Sequence, residues 1–212
     1  MISGYFKNRR IRKRAMELAH ILEHLQSGDI ILVHTKNSLI GSIIRKATRS
    51  YWNHTALVLT NFSHLPEYKT TIVIEAQDEG VVAHRIGAFL DPNKYDIAIK
   101  RVPHLSETEK DMVRHYLLAH IDVQYDVARL FDFFIGIFTG RALTTFSDTS
   151  QAVCSSLIQK AFYHAVPEEK KREVIFVRNF KDQNDLEFVS PADIAKSDKA
   201  VWIFNPHSHH QI

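Results

Sequence analysis

Apolar residues recur at Ile11, Ala15, Leu18, Leu22 and Leu25, at alternating spacings of four and three. That period predicts an amphipathic helix over residues 1–26. Gly28-Asp29 then signals a turn, and the apolar run Ile30–Val33 behind it predicts a short buried strand. Ser38–Thr48 returns to helical spacing, with Leu39, Ile43 and Ile44 on one side and Arg45 and Lys46 on the other. From His54 the period shortens to two. His54–Thr60, Thr70–Gln77, Gly80–Ile86 and Tyr95–Val102 each predict a strand, the second and third joined through the hairpin signature Asp78-Glu79-Gly80. Consecutive strands with short connections predict an antiparallel sheet rather than repeated βαβ units.

Helical patterns resume after the sheet. Ser106-Glu107-Thr108-Glu109 is a capping box, and Tyr125–Gly140 is strongly apolar yet too short to span a bilayer. Thr149-Ser150 precedes an amphipathic helix with Cys154 near its start and Leu157, Ile158, Ala161 and Phe162 along one stripe. A charged connection at Glu168–Glu173, a strand at Val174–Val177, a helix opened by Ser190-Pro191 and a last strand at Val201–Phe204 complete the chain. The expected fold class is α+β: one domain over residues 1–212, an antiparallel sheet packed against helices.

Composition narrows the function classes. The 212 residues are 45% hydrophobic and 24% charged, enough for a sizeable core. The net charge of +3 comes largely from Arg9, Arg10, Arg12, Lys13 and Arg14, so no nucleic-acid partner is expected. Cations at a helix N-terminus oppose the macrodipole; a solvated basic face is preferred over contact with a membrane surface. Glu17, His20, Glu23 and His24 interrupt the apolar positions behind that basic cluster, so neither a signal peptide nor a transmembrane span is expected, and the expected location is cytoplasmic. A single cysteine excludes an internal disulfide and a CxxC zinc site, in keeping with a reducing compartment. The ending His207-Ser208-His209-His210 reads as a frayed tail. No metal and no cofactor are expected.

The chemistry centres on Cys154. A cysteine in the first turn of a helix meets aligned dipoles and free N–H groups that favour the thiolate, and the same groups can hold an oxyanion. A free cysteine is nevertheless most often a small buried apolar side chain, so a histidine partner decides the matter. His54 begins a strand. Glu75 shares a strand face with Val73 and Gln77, and burying it unpartnered would cost several kcal/mol or raise its pKa. Antiparallel neighbours bring His54 within its reach. Taken singly, His54 also fits a structural histidine, and Glu75 a solvated edge carboxylate.

The order of Gly28-Asp29-Ile30-Ile31-Leu32, Trp52-Asn53-His54-Thr55-Ala56-Leu57-Val58, Val73-Ile74-Glu75-Ala76, Tyr125-Asp126 and Val153-Cys154-Ser155-Ser156-Leu157 resembles the circularly permuted NlpC/P60 group of papain-like enzymes. The YiiX/YaeF-like branch is the nearest in pattern. The resemblance runs from Gly28 to the Ser190-Pro191-Ala192-Asp193 helix, and its specificity lies in the order of short motifs. It implies a papain-like fold in which histidine precedes cysteine, with Cys154 as nucleophile, His54 as base, Glu75 orienting the imidazole and Tyr125 beside the nucleophile at the oxyanion. It further implies a cysteine amidase or peptidase, a thiol hydrolase acting on a small peptide-like amide such as a cell-wall fragment. Two other readings stay open: a thioester-forming acyltransferase or lipid hydrolase with an acyl substrate, as in the lecithin:retinol acyltransferase-like group, and a non-catalytic binding module on the same fold.

Overall fold

The computed structural model describes residues 16–62, 71–77, 80–121 and 154–207. Helix α1 is seen over residues 16–23. It is followed by β1 (Ile30–Thr35), α2 (Leu39–Thr48), β2 (His54–Thr60), β3 (Ile72–Gln77), β4 (Gly80–Arg85) and β5 (Tyr95–Arg101). Helices α3 (Glu107–Leu118), α4 (Cys154–Ala165) and α5 (Pro191–Lys196) then precede β6 (Val201–Phe204). All pairings in the six-stranded sheet are antiparallel, in the order β4-β3-β2-β1-β5-β6. No helix among the described residues is long and apolar enough to cross a membrane.

The two-residue period of the strands decides which side each residue faces. Ile30, Leu32, Leu57, Leu59, Ile74, Ala76 and Ala98 pack with Val113 and Leu117 of α3 and with Leu157, Ile158, Ala161 and Phe162 of α4. Ile31, Val33, Ala56, Val58, Val73, Ile97 and Ile99 form the opposite face, covered by Leu22 of α1, by Leu25 just after it and by Ile86 and Phe89. The basic cluster Arg9–Arg14 of the expected first helix lies outside the described residues. Gly28, at φ +89°, turns the chain into β1, a conformation that only glycine adopts without steric cost. Asp29 is fully buried there. Its carboxylate accepts from the Gln26 N–H at 2.8 Å and from Arg101 Nε and Nη2 at 2.6 and 2.7 Å.

Three elements differ from the sequence expectation. Val174–Val177 is not a strand: Gln159, fully buried on α4, donates from Nε2 to the Val174 carbonyl at 2.9 Å and accepts from the Phe176 N–H at 2.7 Å. A side chain thus takes the bonds a neighbouring strand would have made, while Val174 and Phe176 pack into the core of α4. Glu168–Glu173 is not a bare connection but a 3₁₀ helix. Ile86 leaves β4 to begin a 3₁₀ turn, Ile86–Phe89, that caps the second face. The hairpin between β3 and β4 is as expected, with Gln77 opposite Gly80; Asp78 and Glu79 lie outside the described residues. Both expected helix caps form, Ser106 with Glu109 and Ser190 with Asp193, each as a reciprocal capping box.

Candidate active site

His54 is the first residue of β2, opposite Val33 of β1, and the loop before it is tied down on several sides. Asn53, buried, accepts the Thr35 N–H at 2.9 Å through Oδ1. Tyr51 donates its hydroxyl to Asp96 Oδ2 at 2.5 Å, and its carbonyl accepts from His34 Nδ1 at 2.9 Å. Trp52 is buried in the core that also holds Cys154. Helix α2 closes over this loop at Gly41, where a β-carbon would stand 1.9 Å from Asn53 Nδ2. A histidine held at a strand end by such a loop has little freedom to leave its partners.

Glu75 lies on the neighbouring strand β3, 5% exposed. Leu57 pairs with Ile74 and Val58 with Val73, so His54 and Glu75 point to the same side of the sheet. His54 Nε2 donates to Glu75 Oε2 in a short contact. The second oxygen, Oε1, accepts from Gln77 Nε2 and from His84 Nε2, both at 2.6 Å. His84 sits on β4 opposite Val73, edge-on to Phe89 at 5.2 Å between ring centroids. The buried carboxylate is therefore held by donors from three strands.

Cys154, 7% exposed, is the first residue of α4, at the end of the sheet where β2 begins. Its sulfur is hydrogen-bonded to the His54 side chain and faces both the backbone N–H and the side chain of Thr55. With His54 Nε2 committed to Glu75, Nδ1 is the ring nitrogen left for sulfur. Thr55 Oγ1 is fully buried and has no hydrogen-bond partner among the described residues. Ser155 and Ser156 fix the first turn of α4, donating to the carbonyls of Val189 at 2.5 Å and Glu187 at 2.7 Å.

The electrostatics reflect these contacts. Burial alone disfavours the imidazolium, but the Cys154 sulfur and the Glu75 carboxylate outweigh it and push His54 up to about 10. Burial likewise works against the Glu75 carboxylate, and the hydrogen bonds from His54, His84 and Gln77 overcome it, holding Glu75 at about 2. For Cys154, burial raises the thiol, while the His54 charge and then the Thr55 contacts bring it below the ordinary cysteine value. All three shifts favour the same state: thiolate, imidazolium, carboxylate.

Of the residues singled out in the sequence, Cys154, His54 and Glu75 come together; Tyr125 lies outside the described residues, as does the rest of the apolar segment Tyr125–Gly140. Sequence reasoning missed His84, Gln77 and Thr55 as members of the cluster. Gln77 shares the strand face of Glu75, and that period was the available signal; His84 depends on β3–β4 register across the hairpin. Among the described residues one other group carries three metal-type ligands, His20, Glu23 and His24 on α1 and just after it, exposed and with ligand atoms within 4.8 Å of one another. None belongs to the Cys154 cluster. An open cleft of about 550 Å³ lies beside Trp52, lined also by Arg49, Lys100 and Trp202. Neither Cys154 nor His54 lines it.

Residues 24–204 match the family model described as permuted papain-like amidase enzyme, YaeF/YiiX, C92 family. Among solved structures, metalloprotein yiiX from Escherichia coli O157:H7 superposes with a TM-score of 0.54 at 20% identity, over 84% of this chain and 96% of that one. This likeness concerns the fold. No curated protein matches the chain.

Proposed function

The chain belongs to the permuted papain-like amidase family, and from that premise we propose that it hydrolyses a small peptide-like amide, such as a cell-wall peptide fragment, with Cys154 as nucleophile, His54 as acid and base, and Glu75 as the group that orients the imidazole. The observation that carries this reading is the unbroken chain of hydrogen bonds from Cys154 through His54 to a buried carboxylate.

The Cys154 thiolate attacks the amide carbon, and the carbonyl oxygen becomes an oxyanion. Donors at the start of α4 and the Thr55 N–H are the preorganised positive partners within reach of that centre. As the C–N bond breaks, imidazolium His54 gives its Nδ1 proton to the leaving nitrogen, and a thioester on Cys154 remains. Neutral His54 then takes a proton from water, whose oxygen attacks the thioester. Collapse releases a carboxylic acid and restores thiolate and imidazolium. Throughout, Glu75 keeps a proton on Nε2, so that Nδ1 is the nitrogen that exchanges protons with the reactants.

The test sets an amide against an ester. The protein is incubated with a dipeptide amide or a medium-chain fatty acid ester, and both turnover and protection of Cys154 from iodoacetamide are monitored. Amide hydrolysis abolished in Cys154→Ala and His54→Ala, together with protection by the amide, is the expected result. Protection by the ester alone, or amide hydrolysis that survives Cys154→Ala, overturns the reading.

A further inference from the structure

A Cys-His pair completed by a neutral third residue carries no net charge in its thiolate–imidazolium form. Papain-like proteases with Cys-His-Asn are of that kind. Here the third residue is Glu75, so thiolate, imidazolium and carboxylate sum to one buried negative charge. Uncompensated charge in a low-dielectric site is costly, and the cluster should contain a further cation.

His84 meets that need by its hydrogen bonds. Its Nε2 lies 2.6 Å from Glu75 Oε1, and its Nδ1 lies 3.1 Å from the Arg85 carbonyl oxygen. Both partners are acceptors only, and an imidazole satisfies two acceptors only when both nitrogens carry hydrogen. The titratable groups that face it are Glu75 from β3 and, beyond the carboxylate, His54 from β2; the ring of Phe89 lies edge-on to it. The side chain is 24% exposed, against 4% for Glu75, so it connects the buried carboxylate with solvent.

We propose that His84 is a positioning residue of this site: held as an imidazolium between Glu75 Oε1 and the Arg85 carbonyl, it neutralises the Cys154–His54–Glu75 cluster and keeps Glu75 Oε2 aimed at His54. Gln77 shares the positioning but not the charge, since its amide donates to the same Oε1. The inference rests on the reading of Cys154, His54 and Glu75 as the reacting cluster. Removing a nearby positive charge makes every remaining proton harder to lose, so both the acid limb, set by thiolate formation, and the alkaline limb, set by loss of the His54 proton, move to higher pH.

The experiment compares the parent with His84→Gln, which keeps a donor toward Glu75 without the charge, and His84→Ala, which removes both. The rate of Cys154 alkylation by iodoacetamide and kcat/KM for the amide are each recorded against pH, with circular dichroism and Tm as checks of folding. His84→Gln should shift the acid limb of alkylation and both limbs of kcat/KM upward, by about one pH unit, and keep most of the maximal rate. His84→Ala should show the same shift and, in addition, a fall in kcat with KM little changed. Limbs that stay in place in a folded His84→Gln overturn the proposal, whatever the loss in Tm, because a purely structural histidine would lower stability without moving them. Alkylation needs no substrate. If the acid limb moves but no amide is turned over, His84 acts as proposed and the amidase reading is what fails.

Discussion

Replacing Glu75 by Gln exchanges one carboxylate oxygen for an NH₂ group and should disable the site without unfolding it. The carboxylate accepts from His54 on Oε2 and from His84 and Gln77 on Oε1. A glutamine amide offers one oxygen and one NH₂ group. Oriented with its NH₂ toward His84 and Gln77, it would set one donor group against two donors; the opposite orientation creates one conflict, at His54, and is preferred. Nε2 of His54 must then accept, the proton moves to Nδ1, and the neutral ring presents a donor to the sulfur where a base is needed. The equivalent change in the serine protease triad, a wrong tautomer in an intact geometry, costs about 10⁴ in kcat. Part of the acid's effect here is shared with Thr55 and the start of α4, so a loss on the order of 10² to 10⁴ is expected, about 2.7 to 5.4 kcal/mol in activation free energy. Amide turnover gives the magnitude, and the pH profile of iodoacetamide labelling gives the cause: in Glu75→Gln the acid limb should rise, because Cys154 has lost the imidazolium that lowered its pKa. Unchanged turnover with an unchanged labelling profile in a folded variant would refute the tautomer argument and return Glu75 to a structural role.

Packing and linkage give two further expected outcomes. Gly41→Ala places a methyl carbon 1.9 Å from Asn53 Nδ2; the strain of overpacking, about 1 to 3 kcal/mol, should exceed the roughly 1 kcal/mol gained in helix propensity, and urea denaturation should show net destabilisation, while Gly87→Ala, whose methyl meets nothing within 4 Å, serves as the neutral control. Glu75 is held at about 2, below its ordinary 4.5, so its contribution to stability is fully present above pH 4.5 and is lost as pH falls toward 2; Tm measured across that window should decline less steeply in Glu75→Gln than in the parent, and parallel curves would contradict the assignment.

Much of the fold was legible because its signals are local. The apolar run of β1, the two-residue period of β2 to β5, the capping boxes at Ser106 and Ser190 and the helical stripe of α4 each lie within a few residues, where pleat geometry and N-cap chemistry act. Val174–Val177 misled for a physical reason: its apolar character is real, but the buried Gln159 takes its backbone groups, and no short-range pattern reveals which side chain will do so.

Local pattern in the sequence supplies the ingredients of the site: one cysteine at the start of an amphipathic helix, one histidine at a strand end, and one glutamate set in an apolar strand. Each constrains only its own neighbourhood, so each also fitted a structural role. The tertiary fold brings them into contact. Strand register placed His54 and Glu75 on one side of the sheet, the docking of α4 brought Cys154 to the other side of the imidazole, and the β3–β4 hairpin delivered His84 to the second carboxylate oxygen. A hydrogen bond is decided within a few tenths of an ångström, a precision set by packing across strands and helices distant in sequence rather than by any stretch of it.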